Sequence, residues 1–345
     1  MSLIAPTSRP AAGHESQDRP VNGILPVSSS VFLLPMYPYF LTANLMTTVI
    51  LAQGRCGLSK CISRYLLSMA VMDFLVIVAA VILSRLRALY FPVSLLSTTP
   101  GCSLVIAFSW FSKDTSAWLT VAFTFDRFIA ICCPHLKVRY CTEKIATGVI
   151  GTVCVLYCVK NVPFFFTYEP AYVLDNIPWY CSIKDVYYTS LAWKIYDWLL
   201  YMVNPCVPFV LILLLNVFTV RHILAASSAR KRLRAQSHGD KQNDPEMESR
   251  RKSIIILFAI SGSFLLLRLT NVVNFVMVQF FIKNYANNSN STNPMFILQE
   301  SGYMMELLSS CTNTCIYAGT QAKFREQLKN LVKWPFEAIC NRFKQ

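Results

Sequence analysis

Seven long apolar runs alternate with short polar stretches along the chain, at about 31–53, 62–84, 100–133, 145–167, 190–222, 253–282 and 296–319. Each is about 20 residues or longer, the length an α-helix needs to cross a hydrocarbon core ~30 Å thick. The third run organises the rest. It begins near Cys102 and ends in FTFDRFIAICCP, where Asp126 and Arg127 stand side by side after a mostly apolar stretch. A helix from Cys102 to Arg127 rises roughly 37 Å, so it places the cysteine at one membrane face and the charge pair at the other. The pattern predicts an all-α membrane protein, a seven-transmembrane helix bundle. No internal repeat appears, and no pair of Gly/Pro-broken runs suggests inverted halves, which speaks against a transporter.

Composition agrees. Of 345 residues, 54% are hydrophobic and only 14% charged, against about 25% charged in a soluble domain. The net charge of +14 raises nucleic acid as a partner, but its placement does not fit one. Basic residues gather at Arg55 and Lys60, at Lys137, Arg139 and Lys144, through 223–252 and again after 320. The loop at 168–189 sets Lys184 against Glu169, Asp175 and Asp185, and 283–295 holds only Lys283. The positive-inside rule then puts the even loops and the tail in the cytoplasm and the N-terminus outside. Arg85 and Arg87 depart from this bias and are expected to snorkel at the outer end of the second run.

Two further features fit that orientation. The sequons at Asn287 and Asn290 fall in a loop assigned to the outside, where glycosylation occurs. Cys102 and Cys181 are the cysteines at the outer surface, where an oxidising exterior joins them. The expected organisation is an extracellular tail over 1–30 without a visible signal peptide, a seven-helix domain over 31–320 with a flexible cytoplasmic loop at about 226–250, and a tail over 321–345. That loop should lengthen its flanking helices by a turn or two. In the tail, KFREQLKNLVK places Phe324, Leu328, Leu331 and Val332 on one face, which predicts a short amphipathic helix on membrane lipid. Cys340 follows, either palmitoylated or a plain thiol.

With these features together, the chain resembles the rhodopsin-like (class A) G-protein-coupled receptors over about 31–335. Asn44 fits the family's first-span asparagine, Asp73 its second-span aspartate, Asp126 to Phe128 its Asp-Arg-Tyr, and Pro208 its fifth-span proline. Asn313 and Tyr317 fit the ends of its seventh-span Asn-Pro-x-x-Tyr. There are departures: Thr314 replaces the seventh-span proline, Arg268 and Thr270 stand where the sixth span has tryptophan and proline, and Asn216 replaces a fifth-span tyrosine. The proline-free seventh span and FSKDTSAWLTVAFTFDRFIAIC are similar to an orphan subgroup that responds to aromatic amino acids. The resemblance implies a plasma-membrane receptor that takes a small polar or aromatic ligand or a peptide outside and a heterotrimeric G protein inside. An atypical seven-helix receptor with little or no G-protein activation is the alternative. No cofactor is implied beyond a possible sodium ion. No metal set or nucleophile–base motif occurs in the runs, so no enzyme is expected.

Three constellations are candidates for mechanism. At the inner end, Asp126, Arg127, Asn313 and Tyr317 form the expected G-protein switch. The family's inner sixth-helix acid is Arg250 here, so the resting state should lean on Asp126 and packing. Deeper in, Asn44, Asp73, Ser116 and Asn313 form either a sodium site or a hydrogen-bonded core without an ion. The last constellation is peculiar to this chain. Arg268 is too far from either end of its run to snorkel, so it must face the interior and find an acid, for which Glu306 is the candidate. Lys113 and Asp114 complete two bases and two acids. With Ser109, Trp110 and Tyr303 they form either a ligand-pocket floor or a self-satisfied network. Ser109 replaces the aspartate that amine-binding relatives use, which disfavours an amine ligand.

Overall fold

The computed structural model describes residues 37–86, 90–236, 245–280 and 294–342. The tail over 1–30, Arg87, the sequons at Asn287 and Asn290, and 237–244 of the central loop lie outside the described residues, as do the side chains of Arg85, Arg250 and Cys340.

Eight main helices follow from the sequence pattern. They are α1 (Tyr37–Ala52), α2 (Lys60–Ile77, continued by π-helical turns over Val78–Leu86), α3 (Thr99–Cys132) and α4 (Glu143–Phe166). Then come α5 (Leu191–Tyr201, π-helical turns over Met202–Cys206, then Val207–Gln236), α6 (Pro245–Phe280), α7 (Pro294–Thr320) and α8 (Ala322–Arg342). Local chemistry marks their ends. Ser59 caps α2 by accepting from the Ile62 amide, and Thr142 caps α4 from the Ile145 amide, both at 3.4 Å. Pro134 stands two residues past the end of α3, and the residue before a proline is driven out of helical geometry; Cys133 sits at φ −127° and ψ 73°. Beside the central loop, α6 starts at Pro245, within the turn or two the sequence suggests, while α5 runs on to Gln236, about three turns into it. At 21 residues, α8 also outruns the short helix expected.

Among the described residues, four of these helices are long and apolar enough to cross a membrane by length and composition, within Lys60–Ser84, Glu143–Phe166, Leu191–Ser228 and Arg251–Met277. Helix α3 has spanning length too, at 34 residues, but carries charges inside its apolar run. It packs against α2, α4, α5 and α6, and its buried residues, from Thr99 to Ile131, include both apolar and charged side chains. Helix α4 is peripheral, with Val155, Leu156, Val159 and Val162 exposed as an apolar face that lipid covers.

Among the described residues three apolar clusters hold the bundle, one of them Ala117, Val121, Ile212 and Phe264 between α3, α5 and α6. Tyr65, Leu66, Met69, Leu119, Phe123, Ile256, Tyr317 and Phe324 join α2, α3, α6, α7 and α8 near Arg127, while Val76, Ile77, Val81, Leu307 and Cys311 join α2 to α7 further along. Lipid is as apolar as leucine, so close packing and polar links hold helices together here more than burial does. At Gly302 the α6–α7 contact is so tight that a Cβ would collide with the Asn271 side chain.

The stretch after α4 adds β-structure that the helical pattern did not predict. Tyr168–Glu169 pairs with Ser182–Ile183, and Tyr172–Leu174 pairs with Ile177–Trp179. Asp175 and Asn176 turn the second hairpin at φ 54° and 60°, the left-handed pair a two-residue turn needs. A disulfide joins Cys102 on α3 to Cys181 in this stretch, with Cα atoms 6.1 Å apart. Alongside it the Tyr180 amide donates to Ser97 O at 2.7 Å and Thr99 Oγ1 donates to Tyr180 O at 2.7 Å.

Candidate functional site

Polar side chains are distributed along α3 in levels, and each level reaches a different set of neighbours. At the end opposite the disulfide, the Asp126 carboxylate accepts from Arg127 Nε at 3.0 Å and also from Arg127 Nη2. Its other oxygen accepts from the Cys61 thiol at 3.3 Å. Asp126 and Arg127 are 1% and 5% exposed, so little solvent screens the pair. Arg127 Nη1 turns the other way and donates to Ser253 Oγ on α6 at 3.3 Å. The Cys141 thiol donates to Asp126 O at 3.6 Å. Burial, with the Asp126 charge adding to it, pushes that thiol up to about 11, so it keeps its proton at neutral pH. Tyr317 is buried with its ring edge-on to Phe324, 5.9 Å between centroids, and its hydroxyl has no hydrogen-bond partner among the described residues.

One level up, Asp73 Oδ1 accepts from Ser116 at 2.6 Å and Oδ2 accepts from Asn313 at 2.7 Å. Asn313 thus belongs to this cluster, not to the Arg127 end. Ser310, one turn before Asn313, is buried beside the Asp73 carboxylate, which its hydroxyl also reaches. Asn44, grouped with Asp73 by sequence, instead donates to Phe40 O at 3.1 Å and points at Cys311 Sγ. Thr314, where the family has proline, hydrogen-bonds Thr47 on α1 at 2.9 Å.

At the third level the expected group of two bases and two acids is split. Glu306 on α7 is shared: Arg268 Nη1 lies 2.6 Å from one oxygen and Lys113 Nζ 3.2 Å from the other. Lys113 also sits 4.7 Å from the Tyr303 ring centre and 5.5 Å from that of Trp110, within cation–π range. Arg268 lies over Phe264, and its Nε is unpartnered among the described residues. Asp114 looks elsewhere. It accepts from Lys160 at 2.5 Å and Asn161 at 2.9 Å on α4, and from Asn204 on α5. At about 3.6 residues per turn, neighbouring side chains point roughly 100° apart, so Lys113 faces α7 while Asp114 faces α4 and α5.

The α5 kink supplies the third of those donors. Pro205 has no amide hydrogen, and the residue before it, Asn204, is held in extended geometry at φ −152° and ψ 101°. Pro208, the proline the resemblance singles out, falls in the regular helix beyond the kink. Trp110 stacks on Phe164 at 5.8 Å, and between them, Asp114, Lys160, Asp197, Leu200 and Asn204 lies a cavity of about 20 Å³, room for about one water. Ser109, one turn before Lys113, is half-buried, while Trp198 is exposed.

Sequence reasoning missed Cys61, Lys160, Asn161, Asn204 and Ser253. Lys160 was detectable as a charge inside an apolar run, but it lies only about two turns from the end of α4, close enough to snorkel. The Asn-Pro pair at 204–205 was the signal for the kink. Cys61 carries no mark in the sequence, and nothing in the sequence ties Ser253 to Arg127. In comparison with known families, residues 43–317 match the family described as 7 transmembrane receptor (rhodopsin family).

Proposed function

Because the chain belongs to the rhodopsin family of seven-transmembrane receptors, we propose that it sits in the plasma membrane with its N-terminus outside and couples an extracellular ligand to a heterotrimeric G protein through rearrangement around Arg127. The observation that carries this reading is the pair of ties from Arg127 to Asp126 on its own helix and to Ser253 on α6. A partner that offers the guanidinium better acceptors competes with both, and α6 is then free to move. The level of Lys113 lies roughly 21 Å up the same helix, and its acid, Glu306, is also the acid of Arg268 on α6. A ligand that draws on that shared carboxylate acts on the helix that Arg127 holds below.

The ligand is a small polar molecule of the aromatic amino-acid class. Two cations share one acid at Lys113, Arg268 and Glu306, while Asp114 and Asp197 stand across Trp110 with Lys160. Opposite charges on two sides of an aromatic wall suit a zwitterion carrying a ring. Asp73, Ser116, Ser310 and Asn313 supply oxygen donors of the kind a sodium ion takes, gathered around one buried carboxylate. A bound ion there stabilises the resting bundle.

The deciding measurement is nucleotide exchange on a panel of purified G proteins, with the receptor in lipid and an aromatic amino-acid panel as ligands. We expect ligand-dependent exchange, with basal exchange lower in sodium than in choline and insensitive to that swap in Asp73→Asn. A second reading has support in the unbroken runs of α6 and α7, which lack the family's prolines at Thr270 and Thr314. It is an atypical receptor that does not activate G proteins, and flat exchange across the whole panel would establish it.

A further inference from the structure

Arg127 makes one hydrogen bond that its ion pair does not require, from Nη1 to Ser253 Oγ at 3.3 Å. Ser253 lies about two turns into α6. It is preceded by Arg250, Arg251 and Lys252 and followed by Ile254. A serine with arginines two and three residues before it and an apolar residue after it suits protein kinases whose substrate grooves are acidic. Arg251 and Lys252 are exposed, and Ser253 is half-buried.

The guanidinium geometry leaves room for a second anion. Arginine carries five N–H donors in a planar fork. The Nε–Nη2 edge is occupied by Asp126, and the Nη1 side faces Ser253. We propose that Ser253 is a phosphorylation site, and that a phosphate there becomes a second anion on Arg127, tying α6 to α3 in the arrangement seen here. The kinase transfers the γ-phosphoryl group of ATP to Ser253 Oγ. The new O–P bond forms as the bond to the ADP oxygen breaks, and the hydroxyl proton passes to the kinase's base. The product carries a charge of about −1.5 to −2 and three strong acceptor oxygens.

The charge falls where this chain lacks one, because the inner end of α6 offers Arg250 in place of an acid. Asp126 and the phosphate would lie on different edges of the guanidinium with the cation between them, which offsets their mutual repulsion. Arg127 is 5% exposed, and charge-assisted bonds are stronger where water is scarce. The proposal rests on the reading of Arg127 as the switch.

The test uses the full chain in lipid nanodiscs, treated with ATP and the catalytic subunit of a basophilic serine kinase. Mass spectrometry locates the phosphate, hydrogen–deuterium exchange follows the backbone around 245–260, and thermal unfolding and basal nucleotide exchange are measured before and after. We expect phosphate on Ser253, slower deuterium exchange across the first turns of α6, a higher Tm and basal nucleotide exchange down about tenfold, the size of one charge-assisted hydrogen bond. In Ser253→Ala, kinase treatment should change neither Tm nor α6 exchange. Phosphate found only at other serines overturns the proposal, as does a phosphorylated Ser253 with faster or unchanged α6 exchange. If the receptor activates no G protein at all, deuterium exchange and Tm still report the lock, so that failure is separable from this one.

Discussion

Glu306 accepts from both Lys113 and Arg268 in a region where the two cations are 6% and 4% exposed, so removing its carboxylate strands two charges at once. Breaking a buried pair costs about 3–5 kcal/mol because the remaining charge has lost its compensation. Glu306→Ala should therefore fold poorly, and its cell-surface level, read by antibody labelling of intact cells, should fall several-fold along with signalling. A normal surface level would show that the shared carboxylate is not what holds the two cations. Lys113 and Asp114 teach a second lesson at this scale. Adjacent in sequence, they serve separate networks, since one step along a helix turns a side chain through more than a quarter of a circle.

Among the elements, α5 shows how a break in a helix supplies a polar contact. Pro205 removes an amide donor, Asn204 leaves helical geometry, and its side chain reaches Asp114 on α3. If the kink exists to aim that side chain, Asn204→Ala and Pro205→Ala remove the same contact by different routes. Each should lower stability by about 1–3 kcal/mol, the cost of leaving a buried acceptor short of a donor. The double variant should be little worse than either single one, whereas independent sites add to within about 0.5 kcal/mol. Thermal unfolding of the three variants decides it, and strict additivity would mean that the kink and the contact are unrelated. The α8 helix was legible from its apolar face alone, and Phe324 does bury against Tyr317. Its full length was not, because nothing in the charge pattern after 333 marks an end.

The whole molecule is a bundle whose orientation rests on charge placement, not on its packing. The basic loops and the sequons at Asn287 and Asn290 point the same way, and glycosylation can check them. In cells, treatment with an amidase that removes N-linked glycans should shift the protein's electrophoretic mobility, and Asn287→Gln with Asn290→Gln should abolish the shift. A chain inserted the other way would keep those asparagines away from the glycosylation machinery and show no shift in either form.

What the sequence by itself determined is the number of membrane-spanning helices, their order, the disulfide partners and the helices on which the charged residues stand. Those features are one-dimensional: a run of about 20 apolar residues has one stable form in lipid whatever surrounds it, and charge placement along the chain needs no partner to be read. The tertiary structure decided which acid each cation found. Arg268 and Glu306 were matched from sequence because both lie deep in long runs with no exit to water. Asp114 was assigned to the wrong group, because its partners depend on the azimuth of α3 and on a kink in α5. The tie between Ser253 and Arg127 was invisible for the same reason. A serine about two turns into a helix becomes a partner of Arg127 only when the rotation of two helices brings it within 3.3 Å of that guanidinium, and that rotation is set by side-chain packing across the whole bundle.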